Sequence, residues 1–178
     1  MNMLFRETTL QDAVIIEPEL SEDDRGFFAR SFCKMEFERQ GLDSTVVQNN
    51  ISYNHKEGTL RGMHFQLEPH REVKIVRCTR GAIFDVIVDL REDSPTFMKW
   101  VGVELTATNR LQLYVPTGFA HGYQTLEDGS EVCYQVSEFY TPGSERGVRW
   151  DDPAFNISWP REVTCISDKD RNHPAFAI

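Results

Sequence analysis

Two stretches of this chain set proton-moving side chains within strand-like sequence. The first is Leu60-Arg61-Gly62-Met63-His64-Phe65-Gln66, with Lys74 soon after it. The second, Val115-Pro116-Thr117-Gly118-Phe119-Ala120-His121-Gly122, turns after a strand-like run and delivers another histidine. Imidazole titrates near neutral pH, so it can take up or return a proton under ordinary conditions. A lysine ammonium suits a different task, stabilising an oxygen on which negative charge builds. Each residue alone also has a plainer reading, as a hydrogen-bonded structural histidine or a surface lysine. Alternation along the first stretch puts Arg61, Met63 and Phe65 on one face and His64 opposite, unless a bulge at Gly62 changes the facing. Lys74 starts the next strand and sits across from His64 if the two strands pair.

Strands must hold these groups. Residues 82–90 are rich in β-branched side chains and alternate apolar with polar positions, and residues 100–105, 111–115 and 132–140 read the same way. Asp93-Ser94-Pro95, Thr108-Asn109, Asp128-Gly129 and Thr141-Pro142-Gly143 supply the turns between them. Many short strands at this spacing predict an all-β fold, an antiparallel sandwich or jelly-roll barrel. One short helix is predicted over residues 32–40, capped by Ser31 and ended by Gly41. The tail after Pro160 reads as a loop or short helix packed over the barrel. No repeat or linker-like tract divides the chain, so residues 1–178 are expected to form a single domain.

Composition narrows the partners. The chain has 178 residues, of which 40% are hydrophobic, enough to bury a substantial core. A formal net charge of −9 argues against nucleic acid. It leaves a small anionic ligand open, because a few arginines in one pocket can hold a diphosphate. No apolar run approaches the roughly 18 residues needed to cross a membrane. Residues 1–10 lack the pattern of a signal peptide, so the expected location is cytoplasmic. Cys33, Cys78, Cys133 and Cys165 form no C-x-x-C pair and are expected to be buried thiols. His55, His70 and His173 stand beside charged or turn residues and read as solvated. Trp100, Trp150 and Trp159 read as core or interface anchors, and Glu22-Asp23-Asp24 as a solvated loop. Asp85 and Asp89 mark one strand face or take part in buried ion pairs.

The turn Pro116-Thr117-Gly118-Phe119-Ala120-His121 resembles the second motif of the cupin superfamily, where the histidine usually binds a metal. The first cupin motif should supply H-x-H and then a glutamate. Here Gln66 stands in place of the second histidine, and Lys74 in place of the glutamate. An amide and an ammonium are poor substitutes around a divalent cation, so the expectation is no metal and no cofactor.

A more specific resemblance spans about residues 15 to 170. Residues 60–66, 74–77, 84–86, 88–91, 94–97, 116–122, 148–153 and 157–160, with Tyr134, Asp24-Arg25-Gly26-Phe27-Phe28 and Gln48-Asn49-Asn50, closely resemble the dTDP-4-dehydrorhamnose 3,5-epimerase family. In that family a ketone at carbon 4 of a dTDP-4-keto-6-deoxyhexose acidifies the hydrogens on carbons 3 and 5. A base removes one to form an enolate, and an acid on the other face returns a proton with inversion. The resemblance implies His64 as base, Asp170 as the carboxylate that orients it, Lys74 as the cation facing the enolate oxygen, and Tyr134 as the acid. It implies substrate contacts at Arg25, Gln48, Asn50, Arg61, His121, Tyr140, Glu145 and Lys169, with Tyr140 stacking on the base. It also implies a homodimer in which N-terminal strands extend the partner's sheet. Two departures stand out: Arg30 where the family usually has Glu, and Gln135 where it has Lys. Arg30 falls in the nucleotide-contacting part of the pattern, whereas Gln135 should point to the strand face opposite Tyr134. Rival readings are a single-carbon epimerase, a metal-dependent cupin and a non-catalytic sugar-nucleotide binding module.

Overall fold

The computed structural model describes residues 2–177. The N-terminal part forms β1 (Met3–Glu7), β2 (Val14–Pro18), a small hairpin of β3 (Ser21–Asp23) and β4 (Gly26–Phe28), and helix α1 (Lys34–Arg39). The body follows with β5 (Gln48–Asn54), β6 (Thr59–Gln66), β7 (Lys74–Arg80), β8 (Ala82–Asp89), β9 (Trp100–Thr106), β10 (Gln112–Val115), β11 (Phe119–Thr125) and β12 (Ser130–Val136). Short elements close the chain: β13 (Glu145–Gly147), β14 (Cys165–Ile166) and α2 (Asp168–Arg171).

One six-stranded sheet runs β1-β2-β10-β7-β12-β5; the other runs β13-β6-β11-β8-β9, with β14 added beside β6. Apart from the parallel β14–β6 contact, neighbours are antiparallel. Between the sheets lie Val76, Cys78, Leu113 and Val132 from the first, and Ile83, Ile87, Leu105, Phe119 and Tyr123 from the second. This is the jelly roll that the strand pattern predicts.

Alternation within β8 explains how the second sheet is buried on both sides. Ile83 and Ile87 turn inward, while Val86 and Val88 turn outward beneath Phe155, Trp159 and Phe176 of the C-terminal segment. Asp152 pins that segment by accepting the Phe176 N–H at 2.7 Å. Asp85 and Asp89 are fully buried and paired, with His121 and Arg91 respectively, which is the second of the two readings offered for them. Asp89 accepts from Arg91, Ser94 and Thr96, which holds its carboxyl at about 2 despite burial. Helix α1 covers the first sheet by driving Phe37, 0% exposed, against Ile16, Ile75 and Tyr114.

Four expectations need adjusting. The helix starts at Lys34 with Cys33 as its N-cap and no side-chain cap, so Ser31 does not cap it, whereas Gly41 does follow its end at φ 72°. The last long strand stops at Val136: Ser137 still donates to the Val73 carbonyl, but the Val73 N–H goes to Ser137 Oγ instead of the backbone carbonyl, which ends the ladder. The four cysteines are free, but Cys165 is exposed on its short strand and Cys33 and Cys133 are only partly buried. Glu22 and Asp23 belong to the exposed β3–β4 hairpin rather than to a loop.

Candidate active site

Strand β6 carries the first proton-moving group, and a bulge decides what stands beside it. Its pairing with β11 steps from His64↔His121 to Arg61↔Tyr123, three residues against two. The extra residue falls at Gly62, whose φ of +132° suits glycine alone and whose missing Cβ would lie 2.5 Å from the Gly122 Cα. Beyond it, Met63 and Phe65 point outward into the C-terminal packing. Arg61 turns inward and lines the same cavity as His64, not the face of Met63 and Phe65 that simple alternation assigns it.

Lys74 is placed differently from the simplest expectation too. Strands β6 and β7 belong to different sheets, so Lys74 reaches His64 across the barrel interior rather than along a shared ladder. Residues His64, Lys74 and Tyr134 line both of two adjoining recesses, of about 120 and 270 Å³. The smaller also takes Gln48, Asn50, Tyr140 and Glu145; the larger takes Arg61, His121, Lys169 and Asp170. A wider cleft of about 820 Å³ lies elsewhere, and its Arg91 and Asp12 are already paired with each other.

The C-terminal tail supplies Asp170. Ser167 caps α2 by accepting the Asp170 N–H at 3.1 Å, and the turn swings the carboxylate over β6. Asp170 Oδ1 meets His64 Nε2 at 2.7 Å, and Oδ2 accepts the Gly62 N–H at 3.1 Å. Burial opposes its charge, but the His64 hydrogen bond and charge and the Gly62 N–H together hold the carboxyl below its usual value. With Nε2 donating to Asp170, Nδ1 is the His64 nitrogen left to accept a proton.

Opposite stand the other polar groups. Lys74, almost wholly buried, pairs with Glu72, which also accepts from Gln66 Nε2 at 3.0 Å. Glu72 is a site residue that the sequence does not mark out, since a carboxylate two positions from a lysine is ordinary until both are largely buried. Tyr134 has its pKa raised, by burial first and by the charge of Glu72 next, so its phenol keeps its proton at neutral pH. Tyr140 Oη donates to Glu145 at 3.3 Å, and Glu145 also pairs with Lys169. His121 Nε2 meets Asp85 Oδ1 at 2.7 Å.

His173 contradicts its solvated reading. It packs edge-on to His64 with ring centroids 5.5 Å apart, its side chain only 10% exposed. Arg25 is the one candidate contact that the chain does not bring to the cavity; it stands on the exposed hairpin, paired with Asp23. Arg30 meets Glu36 of α1 at 3.0 Å, and Gln135 faces away from Tyr134 beside Asn49 and Arg77. At the cupin-type metal positions, Gln66 spends its amide on His70, Glu72, Phe139 and Thr141, and Lys74 offers an ammonium. That donor set does not fit a divalent cation.

Fold and cavity together define a class: a cupin-like jelly roll equipped for acid–base chemistry inside its barrel. The sequence profile of the dTDP-4-dehydrorhamnose 3,5-epimerase family matches residues 7–177, and the chain belongs to that family of isomerases. It is 47% identical to the dTDP-4-dehydrorhamnose 3,5-epimerase of Shigella flexneri, over 99% of this chain and 96% of that one. Among solved structures it is similar to the Bacillus anthracis enzyme of the same name with TDP and PPi bound, at TM-score 0.94 and 46% identity, covering 98% and 99% of the two chains. It is also similar to the dTDP-6-deoxy-D-glucose-3,5-epimerase of Legionella pneumophila in complex with dTDP-4-keto-L-rhamnose, at TM-score 0.91 and 37% identity, covering 98% and 93%.

Proposed function

We propose that this chain inverts carbons 3 and 5 of a dTDP-4-keto-6-deoxyhexose, in deoxysugar biosynthesis of the dTDP-rhamnose type. The observation that carries the reading is one cavity in which the His64–Asp170 pair confronts Lys74 and Tyr134 from the other sheet. Nδ1 of His64 takes the hydrogen from carbon 3 as a proton, and the electron pair of that C–H bond moves into an enolate ending on the carbon-4 oxygen. The Asp170 carboxylate stabilises the imidazolium, and the Lys74 ammonium faces the enolate oxygen. Tyr134 then gives its phenolic proton to the opposite face, and exchange with water restores both groups. A second round at carbon 5 repeats the cycle. No step asks for a metal.

Arg61, Gln48, Asn50, His121, Tyr140, Glu145 and Lys169 are assigned to substrate contact because they ring the same recesses. Arg25 fits this scheme if a second copy brings its hairpin to the cavity. Such a homodimer suits the apolar surface that one chain leaves bare, with Phe28 64% and Ile51 70% exposed. A cytoplasmic enzyme acting as one domain completes the reading; no helix among the described residues is long and apolar enough to cross a membrane.

Proton NMR with dTDP-4-keto-6-deoxy-D-glucose in D2O tests it. Signals at carbons 3 and 5 should both vanish, and persist with His64→Ala. Exchange at carbon 3 alone would make the chain a single-site epimerase, and no exchange would reject the substrate.

A further inference from the structure

Behind the His64–Asp170 pair lies an imidazole that the proposed chemistry does not use. His173 follows α2, and its Nε2 is 3.7 Å from Asp170 Oδ1, the oxygen that His64 already holds at 2.7 Å. Its ring fits because Gly147, the register partner of His64 on β13, has no side chain; a Cβ there would collide with the imidazole. Packing the ring so closely leaves its Nε2 buried without a hydrogen-bond partner. A buried, unpaired nitrogen costs stability unless the position serves another end.

We propose that His173 is a positioning residue: a neutral imidazole that holds Asp170 against His64 by close packing and by the polarity of a ring nitrogen 3.7 Å from Oδ1, beyond hydrogen-bond reach. Once protonated, it competes for that carboxylate oxygen. This rests on the reading of His64 and Asp170 as a working base and its partner. The groups facing His173 are His64 from β6, Glu145 from β13, and Lys169 and Asp170 from α2. Burial first, then the charge of His64, lowers the pKa of His173 below the ordinary imidazole value, and Asp170 partly opposes this. At neutral pH the ring is therefore uncharged. Only in acid does it become a cation beside a carboxylate that His64 needs.

Two substitutions separate an imidazole's work from mere packing. His173→Phe keeps an aromatic ring but loses both nitrogens, and should lower kcat about tenfold with KM within twofold. His173→Gln places an amide donor near the position of Nε2 and should restore kcat to within about twofold of the parent. Because glutamine cannot be protonated, His173→Gln should also lose less activity than the parent as pH falls below about 6. Full kcat in His173→Phe, or acid limbs that superimpose in His173→Gln and the parent, would overturn the proposal. NMR titration of the His173 ring gives a readout that needs no turnover. Its pKa should rise in His64→Asn and fall further in Asp170→Asn, and a value indifferent to both would also overturn it. If the parent shows no exchange with the keto-sugar while these titration shifts appear, the substrate reading fails and the coupling stands.

Discussion

The barrel holds two histidine–aspartate pairs with the same contact length and opposite electrostatics. His64 meets Asp170 and His121 meets Asp85, each Nε2 to Oδ1 at 2.7 Å. Asp170 has work for both oxygens, since Gly62 donates to the second, and its carboxyl lies below the usual range. Asp85 is wholly enclosed, its Oδ2 has no partner, and desolvation pushes its pKa up against the opposing pull of His121. His64 keeps 30% of its side chain accessible, His121 only 10%. Distance alone would call these pairs equal. Solvation and the second oxygen make the first suited to stabilising an imidazolium and the second suited to holding a ring in place.

Substitution at the two carboxylates should expose that difference most strongly. Asp170→Asn is expected to slow deuterium exchange about 100-fold or more, and Asp85→Asn by less than about tenfold. Equal losses in single-turnover assays would break the comparison. A finer cut uses His121→Asn, expected to raise KM about tenfold while kcat changes only a few-fold, as for a group that binds rather than reacts. A matched fall in kcat would move His121 into the proton transfers.

The smallest effect lies in stability against pH. A depressed carboxyl such as Asp170 contributes stability above its unfolded value of 3.8, which is lost as pH falls through the lower folded value. A raised one such as Asp85 does the reverse: its folded form resists ionisation, so stability falls as pH climbs from the unfolded value of 3.8 through the higher folded value. At pH 7, Asp170→Asn should therefore lower Tm by about 2–4 °C, and Asp85→Asn should raise it. The Asp85 difference should shrink as pH falls from its raised folded value toward 3.8, the Asp170 difference only below 3.8. Thermal melts at pH 7 and in acid check the signs, and a fall in Tm for Asp85→Asn at pH 7 contradicts the account of its burial.

Much of this was legible in the residues, and the failures have physical causes. Period-2 runs and turn residues located the strands of the barrel, because side-chain alternation is a local property. Which strands share a sheet is not local, so Lys74 appeared beside His64 when it faces it across the interior. The facing of Arg61 depended on one extra residue at Gly62, which a sequence can suggest but not count. Asp85 and Asp89 read equally as a polar strand face because they share the inward face of Ile83 and Ile87, and the partners that let a carboxylate sit there come from β11 and from the turn after β8. His173 lies among charged residues in a tail, and only the side chain missing from Gly147 makes room for it inside. Glu72 drew no notice because a carboxylate next to a lysine is ordinary until both are buried.

The near-contact of Gly62 with Gly122 has an evolutionary reading. At that crossing any side chain on either strand would strike the other: a Cβ on Gly122 would lie 2.6 Å from Met63 Sδ and 2.7 Å from the Arg61 carbonyl. Single replacements there are closed off, and with them any gradual change in the spacing of Arg61, His64 and His121. Gln48, Tyr140 and Glu145 meet no such backbone crossing: they lie on the edge strands β5 and β13 and in the connection between β12 and β13. That one crossing of two glycines therefore sets how far apart Arg61, His64 and His121 stand as they face Lys74 and Tyr134 of the other sheet.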